Sequence, residues 1–241
     1  MNDTVPHLTY STSTSGERER EILSAAKAAR ALDLHPSGVQ KLIDSGYLPT
    51  PYADIVHALA ARQYIETSSP PVFVIQTSKA DPIVDDVNIH AAKFHDENRA
   101  RAAIDDVLQA NPGEWRIATG DSPNLPDLVW VDAARGDWHN ITPDPNVRYI
   151  LIVLATFVTG VLRIRDDEEP EPFTVGTQRK YRFPATLLGR LAPASLPGEA
   201  PLLDQRVTYG SDITKAERAF VDAAVGRRIY PRRGVQAFSL E

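Results

Sequence analysis

The stretch from Val147 to Arg165, VRYILIVLATFVTGVLRIR, decides how this chain folds. Its length approaches the run of about 18 apolar residues that suits a membrane-spanning helix. Its composition points elsewhere. Ile150, Ile152, Val153, Val158, Val161 and Ile164 are β-branched, lose rotamer freedom in a helix and fit a pleated sheet. Arg148 and Arg163 are costly at membrane depth, and Ala155-Thr156 divides the segment into two runs of strand length. The segment therefore predicts a β-hairpin. Because nearly every position is apolar, the hairpin belongs in a sheet covered on both faces, or in a closed barrel packed on a helix.

Outward from the hairpin, the 241 residues suffice for one large domain or two small ones, and two are expected. Cysteine is absent, which excludes disulfides, thiolate metal sites and cysteine nucleophiles and fits a reducing, cytoplasmic setting. The first twenty residues are polar, carry no basic region followed by an apolar core, and read as a flexible arm without export signal or anchor. No membrane partner is expected. A net charge of -6 argues against a surface coated in basic residues, but the charge is uneven. Residues 166–171 form an acidic loop, whereas the chain from Arg179 onward has a positive excess of about five.

Glu17 to Leu23 is charged and helix-prone. Ser24 stands where an N-cap opens a helix from Ala25 to Leu32, and Asp33-Leu34-His35 interrupts it. Pro36 suits the first turn of a second helix that carries Val39, Leu42 and Ile43 and stops at Ser45-Gly46. Tyr52 to Tyr64 reads as a third amphipathic helix, and Ser68-Ser69-Pro70-Pro71 as a boundary. Beyond it come a strand in PVFVIQT, a helix from Asp96 to Ala110, a strand around Trp115 to Ala118 and a short strand at LVWV, residues 128–131.

The segment SAAKAARALDLHPSGVQKLIDSGYLPTP resembles the helix-turn-helix of the MerR and excisionase type, with its alanine-rich first helix and closing Gly-x-Leu-Pro step. The resemblance implies that Pro36 to Asp44 is a recognition helix with Ser37, Gly38, Gln40 and Lys41 on its outer side. The basic two-strand wing usual in such proteins is replaced by the third helix, where Arg62 is the single cation favouring DNA. From Asp132 onward the chain resembles PUA-like β-barrel domains of the ASCH and EVE kind. The residues concerned are Arg135-Gly136-Asp137-Trp138, Tyr149 with Val158 and Val161, Tyr181-Arg182-Phe183, and GRRIYPRRGVQAF at residues 226–238. Together they predict an α+β chain: an arm at 1–20, a small N-terminal helix-turn-helix module at 21–68, and a PUA-like mixed β-barrel domain at 71–241.

Tyr181 and Phe183 fall on one side of a strand, as core filling or as the wall of a base-stacking slot. Trp138 is either a lid on a barrel end or a stacking surface. Arg135, Arg179, Arg182, Arg227, Arg228, Arg232 and Arg233 either line a phosphate-binding rim or form a solvated surface. No catalytic set, cofactor loop or metal site is legible; His90, His95 and Asp96 lack a third ligand at a fixed spacing. The expected function is non-enzymatic: a DNA-binding regulator or modified-base reader, with RNA as a second candidate ligand. The alternative is an assembly protein whose helical module docks a protein partner or a second copy of the chain. A hydrolase built from dispersed carboxylates stays open.

Overall fold

The computed structural model describes residues 20–66, 71–82, 118–135, 138–139, 147–169, 171–175, 178–182, 184–196, 199–230 and 237–240, with single positions at 68, 99, 102, 103, 106 and 109. The expected arm before residue 20 and most of the strand near Trp115 lie outside this set, as does most of the helix expected from Asp96 to Ala110, whose described positions 99, 102, 103, 106 and 109 are helical. In chain order the elements are α1 (Ala25–Ala31), α2 (Pro36–Asp44), α3 (Ala53–Ala60), β1 (Tyr64–Ile65), β2 (Val72–Thr77), β3 (Asp81–Pro82) and β4 (Ala118–Thr119). Next come α4 (Asp127–Arg135), β5 (Trp138–His139), β6 (Tyr149–Leu154), β7 (Phe157–Ile164), β8 (Glu171–Val175), β9 (Gln178–Arg182) and β10 (Ala185–Leu191). The chain closes with α5 (Pro201–Asp204), β11 (Val207–Tyr209), α6 (Lys215–Ala224), β12 (Arg228–Ile229) and β13 (Ala237–Leu240).

The central hairpin is β6 and β7, antiparallel from Tyr149 opposite Arg163 to Leu154 opposite Phe157. Ala155 and Thr156 make the turn at φ +57° and +137°, the positive values that a tight two-residue connection demands. Around the hairpin a mixed sheet curls into a half-barrel: β2 runs parallel to β6, β13 antiparallel to β2, and β10 antiparallel to β7, with β11 beyond it. The fold is α+β.

Both faces of the sheet are covered, which is why the strands are apolar at nearly every position. Leu151 and Val153 point to a core that includes Leu32, Val39 and Leu42 of the helical segment, while Ile150 and Ile152 point to a second core around Val129 and Trp130 of α4. The helices at 25–60 thus share one continuous core with the sheet. Trp130 of α4 packs closely on Gly160, where an added Cβ would sit 2.4 Å from Trp130 Cη2.

Three expectations are corrected. The third helix, expected to reach Tyr64, ends at Ala60, and Tyr64 falls in strand β1, where it pairs with Arg228. Residues 128–131 form part of helix α4, not a strand. Pro126 accepts from Trp130 N at 2.8 Å, and Val129, Trp130, Ala133 and Ala134 make a buried helical stripe; periodicity alone does not tell strand from helix in an apolar run this short. Glu21 to Leu23 is extended rather than helical, because Ile22 bridges to Tyr52 and Leu23 N donates to Pro51 O at 2.9 Å.

One buried carboxylate joins the helical segment, α4 and the sheet. Asp121, fully buried, accepts from Tyr47 Oη and from Trp130 Nε1 at 2.6 Å each, and from Thr159 Oγ1. Burial raises its pKa against the opposing effect of these donors and of Arg190. Asp121→Ala leaves buried donors unsatisfied and is expected to cost about 3–5 kcal/mol in urea unfolding. Asp121→Asn is expected to cost about 1–2 kcal/mol, since Thr159 can accept from the amide and turn its proton to Ile152 O, 3.2 Å away. The pKa is raised on folding, so this group's contribution to stability is complete below the ordinary aspartate range. It is lost as pH rises through the raised folded value. Asp121→Asn should flatten that part of the stability profile; equal costs for the two variants, with an unchanged profile, would contradict this account.

Candidate nucleic-acid interface

Helix α1 begins at Ser24, whose hydroxyl accepts from Lys27 N at 3.3 Å, and ends at Leu32. Helix α2 begins at His35, whose Nδ1 accepts from Ser37 N at 3.3 Å, with Pro36 in its first turn. It closes through Ser45, followed by Gly46 at φ +86°. Ser24, Pro36 and Ser45-Gly46 stand where the sequence predicts, while the His35 cap was not read from it. Val39 and Leu42 bury the inner face of α2, and a Cβ on Gly38 would lie 3.7 Å from Ala155, so Gly38 faces the hairpin turn rather than the outer side. Ser37, Gln40 and Lys41 are exposed together on the outer side. Gln40 Nε2 donates to Asp44 Oδ1 at 2.6 Å.

Arg62 lies past the end of α3 and is partly withdrawn from solvent: it donates to Gln205 Oε1 and, at 3.1 Å, to Leu203 O. Burial and the nearby Arg227 lower its pKa. Arg227 donates to Gln63 Oε1 at 3.1 Å. Neither guanidinium has a carboxylate partner among the described residues.

Arg228 differs from the surface cation expected. It is 3% exposed and donates to Leu32 O, and its guanidinium lies 4.4 Å from the Tyr64 ring and 5.5 Å from that of Phe157. The reason is topological: β12 pairs parallel to β1, with Tyr64 beside Arg228, and also touches β7 at Phe157. Desolvation lowers its pKa. The arginine is an interior cation clamped between rings, and it ties the C-terminal segment to the end of α1.

Trp138 and Tyr181 are cross-strand partners in the antiparallel β5–β9 pair, and Tyr181 is in register with Pro172 of β8. The two expected stacking aromatics are therefore neighbours in a small sheet of their own, whose β9 also carries Arg179 and Arg182. Arg135 closes α4 three residues before Trp138. Arg232, Arg233, Phe183, His90, His95 and the neighbouring Asp96 lie outside the described residues, among which no group of three or more acidic or imidazole side chains could hold a metal. A cleft lined by Tyr149, Phe220, Thr214 and Glu217 offers no free acid, since Glu217 is taken up by Arg163 at 2.9 Å and by the Thr214 cap. No helix among the described residues is long and apolar enough to cross a membrane.

Sequence reasoning missed two aromatics. Tyr230 is 57% exposed and stacks on Tyr64, with ring centroids 3.9 Å apart and planes 7° from parallel. Nothing in either residue's local sequence links them; the pairing arises from β1 and β12, which lie far apart in the chain. No protein family, curated protein or solved structure matches this chain.

The contrast between the neighbouring arginines is measurable. Arg228→Ala leaves Leu32 O without its donor and opens space between Tyr64 and Phe157, and is expected to cost about 2–4 kcal/mol in urea unfolding. Arg227→Ala, at a partly exposed position, should stay within about 0.5 kcal/mol. Similar losses for both would contradict the interior assignment of Arg228.

Proposed function

We propose that the chain is a nucleic-acid-binding regulator of the helix-turn-helix kind, with the outer side of α2 entering the major groove of duplex DNA. The observation that carries this reading is the division of α2 into two faces. Val39, Leu42 and Gly38 are held against the core and the hairpin turn, while Ser37, Gln40 and Lys41 stand together in solvent. A short helix fixed by caps at both ends and packed on a rigid sheet presents such side chains with little conformational freedom left to lose on binding. Gln40 carries the amide that pairs with adenine edges, and Lys41 the ammonium that reaches guanine or phosphate. The PUA-like reading of the second half adds a role for the small sheet of β5, β8 and β9, where Trp138 is in register with Tyr181 and β9 also carries Arg179 and Arg182, as a reader of a modified base.

Double substitution of Gln40→Ala and Lys41→Ala should lower affinity for duplex DNA about tenfold or more, and Lys41→Ala alone should reduce the slope of log affinity against log salt by about one. Fluorescence anisotropy across a salt series measures both. If the folded double variant binds every duplex as tightly as the parent chain, α2 is not a recognition helix and a protein-docking role for the helical module takes its place.

A further inference from the structure

We propose that Tyr230, stacked on Tyr64 beside the turn between α1 and α2, is a platform for an unpaired nucleobase, so that single-stranded nucleic acid is a ligand in its own right. This rests on the nucleic-acid reading above and assigns it a second class of strand and a second contact site. Tyr64 and Tyr230 stack face to face at 3.9 Å, so one face of Tyr64 is occupied by Tyr230. The Arg228 guanidinium, 4.4 Å from the centre of Tyr64, therefore lies over its other face, with Phe157 beyond it. From solvent inward the column reads Tyr230, Tyr64, Arg228, Phe157.

Its base is fixed. Arg228 is buried, anchored on Leu32 O, and its Nε has no hydrogen-bond partner, so ring faces supply much of its surroundings. Its top is Tyr230, 57% exposed, whose one ring face on Tyr64 is the only ring contact it makes among the described residues. A column ordered before binding loses little freedom when a further ring is added to its exposed end.

The chemistry of the surroundings selects the ligand. The exposed Asp33 carboxylate at the α1–α2 turn acts electrostatically on both Tyr64 and Arg228. Arg228 acts on Tyr64 in the opposite sense and more strongly, so the stacked rings rather than the local charge select the ligand. A base inside a duplex has both faces covered by its neighbours, so the platform takes a base from a single strand or one turned out of the helix. The anchor on Leu32 O puts the column against the turn that leads from α1 into α2.

The test uses the full chain and oligonucleotides of about 12 nucleotides carrying a central 2-aminopurine, as single-stranded DNA, as single-stranded RNA and as DNA duplex. Binding of the single strands should quench the 2-aminopurine, and Tyr230→Ala should lower their affinity roughly 5- to 150-fold and abolish the quenching. Tyr230→Phe should retain both, and duplex affinity should change less than about twofold. The DNA and RNA arms show which strand is preferred. If Tyr230→Ala leaves affinity and quenching unchanged in both single-stranded arms, the platform is wrong, even where duplex binding persists and depends on Gln40 and Lys41. Quenching by single strands without any duplex binding would instead remove the role given to α2 and keep the platform. Absence of binding in all three arms removes both.

Discussion

The arrangement of this molecule depends on a carboxylate placed where water cannot reach it. Asp121 receives hydrogen bonds from Tyr47, just beyond α2, from Trp130 in α4, and from Thr159 in β7. Each donor belongs to a different element, so the acid fixes the helical segment, the covering helix and the sheet against one another. A buried carboxylate is tolerated only when its surroundings satisfy it. Arg190, 4% exposed, completes the arrangement: it pairs with Asp127 at 2.6 Å and donates to the carbonyls of Ser122, Pro123 and Leu125, the loop that leads from Asp121 into α4. Ser122 Oγ adds a bond to Ser45 O at 2.8 Å. The end of α2 is thereby held by the same loop that carries the acid, and the outer side of α2 is presented on a rigid base.

How much of this could be read from the chain depends on whether the cause was local. The hairpin was legible because β-branched residues on both sides of Ala155-Thr156 have one good solution, and the covered sheet followed from the lack of alternation. The caps of α1 and α2 were legible for the same reason, since Ser24, Pro36 and Gly46 act within one turn of where they stand. Leu128 to Val131 misled because four apolar residues satisfy either periodicity. Asp132 to Arg135 extend them as a helix, and docking of Trp130 onto Gly160 fixes the result. Asp121 gave no signal at all, lying in a Gly-Asp-Ser-Pro stretch that reads as an ordinary solvated loop.

The candidate site divides along the same line. Ser37, Gln40 and Lys41 were found on the outer face because helical spacing alone puts them there, and Gly38 was misplaced because only the packing of α2 on Ala155 reveals which side it faces. The pairing of Trp138 with Tyr181 could be suspected from their strands, but the register needed the sheet. Tyr64 with Tyr230 could not be found locally, since two short parallel strands from opposite ends of the chain bring them together.

Arginine is the residue for which composition misled most. The positive excess of the C-terminal stretch suggests a surface field, yet two of its members, Arg190 and Arg228, lie inside the protein. Arg190 neutralises the environment of a buried acid, while Arg228 fills the gap between two rings and ends on a backbone carbonyl. Arg190 is paired with Asp127, whereas Arg228 is held by a neutral carbonyl and ring faces that leave its charge uncancelled; buried as they are, neither guanidinium can make direct contact with a phosphate. What is left nearby is short-range: Arg62 and Arg227, held by glutamine side chains rather than carboxylates, and a stacked pair of tyrosines. A net charge of -6 then acts as a filter. It weakens indiscriminate attraction to any polyanion, so that the nucleic-acid binding proposed above would draw its affinity from contacts made at close quarters by shape, stacking and hydrogen bonds.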